Sequence, residues 1–142
     1  MKITFYSLPK KLNKAFLKKV VAAVLKKEKK PKAVIEIVFL SSEQIKKLNF
    51  SYRRKKEPTD VLSFSKTELF PGEDKNYLGE LAVCLSYIEK NAKKFGEKPQ
   101  RELVRVLIHG ILHLLGYNHE RGGRNSKIMI AKQEAYLSNL LI

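Results

Sequence analysis

The three histidines of the chain, His109, His113 and His119, all fall within the 11 residues HGILHLLGYNH. His109 and His113 stand at i and i+4, so on a helix they project from one face about one turn apart, within reach of a single metal ion. Gly116 ends such a helix and lets the chain turn back to present His119 at the same point. Three neutral imidazoles with no cysteine or acidic fourth ligand leave a coordination position open for water, which is the pattern of a catalytic zinc site. An ion held this way lowers the pKa of its water toward ~7 and polarises a substrate oxygen. One zinc ion on His109, His113 and His119 is the expectation, although three imidazoles also suit nickel, copper or iron.

The order H-x-x-x-H-x-x-G-x-x-H resembles the zinc helix of the metzincin peptidases at every position but one. Where those enzymes carry a general-base Glu after the first His, this chain has Gly110. Peptide hydrolysis then lacks its usual proton acceptor. Glu80, at the start of a strand, is a weak substitute, and Asp60 reads as a turn or capping residue. The single cysteine, Cys84, sits in an apolar run and reads as a small buried hydrophobe in a reducing compartment.

The elements that must position these residues follow from periodicity. KITFY, residues 2–6, alternates as a strand. After Pro9, Leu12, Phe16, Val20 and Val24 recur every four residues, with Ala15, Val21 and Leu25 widening the stripe of an amphipathic helix and Lys11, Lys14 and Lys18 on its outer face. Residues 33–40, AVIEIVFL, read as a central strand buried on both faces. Ser41 and Gln44 form a capping box for a short helix through Ile45 and Leu48. VLSFS, residues 61–65, and ELAVCL, residues 80–85, are further strands. Ser86 and Glu89 suggest a second capping box for a helix ending near Gly96, Pro99 opens the histidine helix, and a last helix spans about 125–141. The order β-α-β-α-β-β-α-α-α predicts a single α+β domain over residues 1–142, with about four strands and about five helices.

Composition narrows the function. The chain has 142 residues, 44% hydrophobic, with few glycines and prolines, which excludes collagen-like, low-complexity and disulfide-scaffold classes. No stretch approaches the ~18 to 20 apolar residues of a membrane span, and the first residues lack the apolar core of a signal peptide. The formal net charge is +15. Residues 1–56 hold 17 basic and 3 acidic side chains, whereas residues 57–142 are nearly balanced at 12 and 11. Such asymmetry points to a polyanionic partner, most often nucleic acid. Lys11, Lys14, Lys18, Lys55 and Lys56 are candidates to touch its backbone.

At the level of whole motifs the chain resembles the YbeY-type endoribonucleases and rRNA maturation factors. HGILHLLGYNH is similar to the family's H-G-x-L-H-L-x-G-Y-D-H, residues 49–64 (NFSYRRKKEPTDVLSF) to its N-x-x-Y-R followed by T-D/N-V-L-S-F, and residues 78–84 (LGELAVC) to its L-G-E-I strand. Asn118 stands where the family has Asp, and Ser65 where it has Pro. The resemblance implies a zincin-like α+β fold with a mixed sheet. It also implies a cytoplasmic, metal-dependent endoribonuclease acting on single-stranded RNA, in small-subunit rRNA 3′-end maturation and ribosome quality control, with rRNA and ribosomal particles as partners. It places the metal on His109, His113 and His119 and a functionally required arginine at Arg53. With Lys55 and Lys56 beside it, Arg53 would grip phosphate and neutralise charge on the phosphoryl oxygens during cleavage, while His109 acts in the catalytic centre. Two rivals remain at this stage, a zinc metallopeptidase and a non-catalytic ribosome assembly factor with a structural zinc.

Overall fold

A computed structural model describes residues 1–66, 75–117 and 123–140. Its elements follow the expected order. They are β1 (Lys2–Tyr6), α1 (Lys14–Lys27), β2 (Val34–Phe39), α2 (Ser42–Arg53), β3 (Val61–Ser65), β4 (Tyr77–Val83), α3 (Leu85–Lys94), α4 (Pro99–Leu114) and α5 (Gly123–Leu140). The strands form one mixed sheet in the order β1-β2-β4-β3, with β1, β2 and β4 parallel and β3 antiparallel to β4. The α+β class with four strands and five helices among the described residues matches the expectation.

The register sorts side chains between the two faces of the sheet. Ile35, Ile37, Leu81 and Val83 face one way, into a core shared with Leu17, Val20, Val21, Val24 and Leu25 of α1 and Leu103, Leu107, Ile108 and Ile111 of α4. Leu62, Phe64 and Ala82 face the other way, into a smaller cluster with Ile45 of α2 and Cys84. β2 alternates between fully and half-buried positions, so the strand expected to be buried on both faces is sealed on one and only partly covered on the other. Glu36 explains this, since it takes hydroxyl hydrogen bonds from Tyr6 and Tyr77 on the half-covered face.

Several boundaries moved for local reasons. Asn13 caps α1 by accepting from the Phe16 N–H, which leaves Leu12 and Lys11 outside the helix and turns Leu17, not Ala15, into the core. Lys11 instead pairs with Glu89 at 2.6 Å. The Ser41–Gln44 capping box is present as expected. The Ser86–Glu89 box is not. Buried Leu85 draws the start of α3 two residues earlier, with Cys84 at the N-cap and no side-chain cap. β4 begins at Tyr77, because that residue already pairs with Val34.

Candidate metal centre

α4 starts with Pro99 at its first position and presents its apolar stripe to the sheet and α1. That orientation turns His109 and His113 toward α5. Both rings are half-buried, with centroids 4.6 Å apart and an interplanar angle of 76°. Their Nε2 atoms converge to 3.1 Å. Two nitrogens each 2.0–2.1 Å from a tetrahedral zinc stand roughly 3.3 Å apart, so the pair fits one ion with a shift of a few tenths of an ångström. The chemistry of the donors fits as well. His109 Nδ1 lies 2.7 Å from the amide oxygen of Gln133, which can only accept a hydrogen bond, so the geometry suits a proton on Nδ1 and a lone pair on Nε2.

α4 closes as the sequence requires. Gly116, at φ +102°, donates to the His113 carbonyl and Tyr117 N–H donates to Leu112 O, both at 3.0 Å. Asn118 and His119 lie outside the described residues, and among those described no three metal-ligating side chains cluster.

The turn leading toward His119 is tied down by Glu28, which follows α1. Its carboxylate accepts from Tyr117 Oη at 2.8 Å, from Lys132 Nζ at 2.9 Å and from Tyr136 Oη. Burial pushes the Glu28 pKa up, but the hydrogen bonds from Tyr136, Lys132 and Tyr117 and the Lys132 charge outweigh it and hold the carboxyl below its usual range. A depressed carboxylate stabilises the fold fully above its unfolded pKa and loses that contribution as the pH falls through the folded value. Glu28→Ala is expected to destabilise the protein by about 2–3 kcal/mol at pH 7, because two tyrosine hydroxyls and an ammonium lose their acceptor together. Urea titrations at pH 7 and pH 3.5 measure this, with the gap between mutant and parent shrinking at the lower pH.

Gly110 has a packing explanation. A Cβ there would lie 2.9 Å from Leu81 Cδ2 and 3.4 Å from Val61 Cγ2, so α4 meets β3 and β4 at a point where any side chain must displace Leu81. The position taken by a carboxylate in the metzincins faces the sheet here. Glu80 is likewise removed from the histidines. It pairs in register with Glu36 and Phe64, on the α2 side of the sheet, whereas α4 covers the opposite side. Burial, with help from the Glu36 charge, raises its pKa, but it does not border the imidazole pair and is corrected as a candidate base. Asp60 is a turn residue, accepting from Val61 N–H at 2.7 Å and from the Thr59 hydroxyl.

Arg53 is the last residue of α2, a helix one turn longer than its sequence signals suggest. Tyr52 packs edge-on against Phe64 of β3, with ring centroids 5.0 Å apart. Arg54 adopts a left-handed conformation, and buried Asn49 donates to Glu57 O at 2.9 Å, which shapes the segment carrying Lys55 and Lys56. Arg53, Lys55 and Lys56 are exposed, and Lys56 sits over the Phe50 ring at 5.3 Å. The basic segment and the helix of the histidine pair therefore pack toward β3, the edge strand among the described residues, from opposite faces.

Sequence reasoning missed Gln133, Glu134, Arg105 and Glu28. A signal for Gln133 existed: it interrupts the buried stripe Met129–Leu137 of α5 with an amide.

An α+β fold whose helix-borne imidazole pair packs on one face of a mixed sheet is consistent with the zincin-like class. A family model described as Endoribonuclease YbeY matches residues 2–141. The chain is 36% identical to the Endoribonuclease YbeY of Persephonella marina over 129 residues, covering 91% of this chain and 84% of that protein. It is 40% identical to that of Thermotoga maritima over 106 residues, covering 75% and 67% respectively. The solution structure of a Thermotoga maritima protein superposes with a TM-score of 0.69 at 34% identity, covering 97% of this chain and 88% of that one. The chain belongs to the YbeY family of endoribonucleases. An endoribonuclease implies RNA as its substrate, and no helix among the described residues is long and apolar enough to cross a membrane.

Proposed function

We propose that the chain is a zinc-dependent endoribonuclease of single-stranded RNA, working in the cytoplasm on small-subunit rRNA 3′ ends and in ribosome quality control. Residues 1–142 act as one domain in this reading. The observation that carries it is the convergence of two imidazole Nε2 atoms at 3.1 Å on a helix of a YbeY-family chain. His109, His113 and His119 hold one zinc ion, which supplies a Lewis acid at the scissile phosphodiester. Arg53 grips the phosphate through its planar fork and offsets charge that builds on the phosphoryl oxygens. Lys55 and Lys56 hold the flanking backbone. The packing of Gly110 against Leu81 favours this reading over a peptidase, since a carboxylate after the first histidine would have to displace buried Leu81.

Cleavage of a single-stranded oligoribonucleotide tests the assignment of the basic segment. Arg53→Ala is expected to lower kcat by about 10²–10³-fold, the usual effect of removing a donor to transition-state charge. Lys55→Ala and Lys56→Ala instead raise KM, each flattening the plot of log affinity against log salt by about 0.7, the contribution of one phosphate contact on a single strand. Unchanged kcat in folded Arg53→Ala protein removes Arg53 from the site.

A further inference from the structure

The imidazole pair does not stand alone. From His109 a continuous chain of hydrogen bonds runs across the α4–α5 interface: His109 Nδ1 to Gln133 Oε1 at 2.7 Å, Gln133 Nε2 to Glu134 Oε2 at 3.2 Å, and Arg105 Nε and Nη2 to the Glu134 carboxylate at 3.3 and 3.4 Å. Arg105 also binds Glu102 one turn back on α4. Each link fixes the next. A carboxylate only accepts, so Glu134 takes the amide N–H of Gln133, which leaves the amide oxygen facing His109, and that oxygen in turn can only accept from the ring. The orientation of the amide and the tautomer of the imidazole thus follow from a carboxylate anchored by a guanidinium at the far end. Burial raises the Glu134 pKa, but the hydrogen bonds from Arg105 and Gln133 and the charge of Arg105 overcome this and keep it ionised.

We propose that Gln133 is a positioning residue of the metal centre, holding His109 in the Nδ1–H tautomer so that its Nε2 lone pair faces His113, and that Glu134 and Arg105 act through it. The inference rests on the zinc reading for its purpose, but the tautomer is a property of the metal-free protein. Removing Gln133 frees His109 to adopt either tautomer, and one of these carries a proton on the nitrogen that must bind metal. Partners that orient a ligating imidazole are worth about 10–100-fold in metal affinity.

The test compares the parent protein, Gln133→Ala and the exchange variant Gln133→Glu with Glu134→Gln, which keeps an acceptor toward His109 and a donor behind it. Long-range ¹H–¹⁵N spectra of metal-free protein at pH 8 read the His109 tautomer, and chelator competition reads zinc affinity. The expected result is an Nδ1–H ring in the parent and the exchange variant, a population with Nε2–H in Gln133→Ala, and zinc affinity lowered about 10–100-fold in Gln133→Ala alone. An Nε2–H ring in the parent, or zinc binding by Gln133→Ala as tight as the parent's, overturns the proposal. A parent that binds no zinc overturns the metal reading instead, and the tautomer spectrum still decides the role of Gln133.

Discussion

Replacing His113 with alanine is expected to abolish RNA cleavage, by at least about 10³-fold, and to remove tight zinc binding in the same protein. The two losses go together because His113 supplies one of only two imidazoles that the described structure brings to a common point, with Nε2 3.1 Å from that of His109. Of the three imidazoles proposed to hold the ion, two would remain, one fewer than a catalytic zinc site uses. The fold should survive the change, since His113 is half-buried and is not among the residues of the main core. Circular dichroism and zinc analysis of purified His113→Ala protein, run beside the cleavage assay, check all three statements. Retained cleavage with zinc lost would separate the metal from the reaction.

The second large effect is on stability. Gly110→Glu installs the carboxylate that metzincins carry at this point, and it is expected to remove most of the fold's stability at 25 °C, not to create a peptidase. The Cβ alone approaches Leu81 Cδ2 to 2.9 Å, and Leu81 is fully buried, so it cannot swing away without disturbing the sheet. Overpacking of this kind costs about 1–3 kcal/mol, and a carboxylate buried without a partner adds several more. The sum takes most of a margin that is typically about 5–15 kcal/mol. Gly110→Ala isolates the steric part. There the overpacking cost is offset by about 1 kcal/mol of improved helix propensity, so a loss of about 0–2 kcal/mol is expected in urea unfolding. A stable, cooperative Gly110→Glu protein would show that α4 can lift from β4, and the packing explanation for this glycine would fall.

Much of this was legible in the residues. The i, i+4 histidines, the glycine that ends their helix and Pro99 that begins it are local signals, and the helix they predict is the one that forms. The element order came through for the same reason, because each strand and helix carries its own period. What failed required knowledge of the third dimension. Glu80 looked available at a strand start, but alternation in β4 assigns it to the α2 face, opposite α4. The Ser86–Glu89 pattern had the spacing of a capping box, yet burying Leu85 started the helix two residues too early for Ser86 to cap it. Gln133 stands 24 residues from His109, and although its place in the buried stripe of α5 marks it as unusual, nothing local names that ring as its partner. Glu28 is farther still from its partners, 89 residues from Tyr117 and 108 from Tyr136. Long-range polar contacts of this kind leave no periodic trace.

Charge asymmetry acquires a structural meaning as well. The strongly basic first 56 residues include α2 and Arg53, on one side of β3, while α4 with His109 and His113 packs on the other. In the proposed reading a substrate that meets both would pass around β3, the edge strand among the described residues, which suits an extended single strand better than a rigid duplex.

The most direct measurement is the zinc content of the purified protein together with its cleavage of a single-stranded RNA before chelation, after chelation and after zinc is restored. The expected result is one zinc per chain, cleavage lost on chelation and recovered with zinc. Undiminished cleavage by fully metal-stripped protein would contradict it.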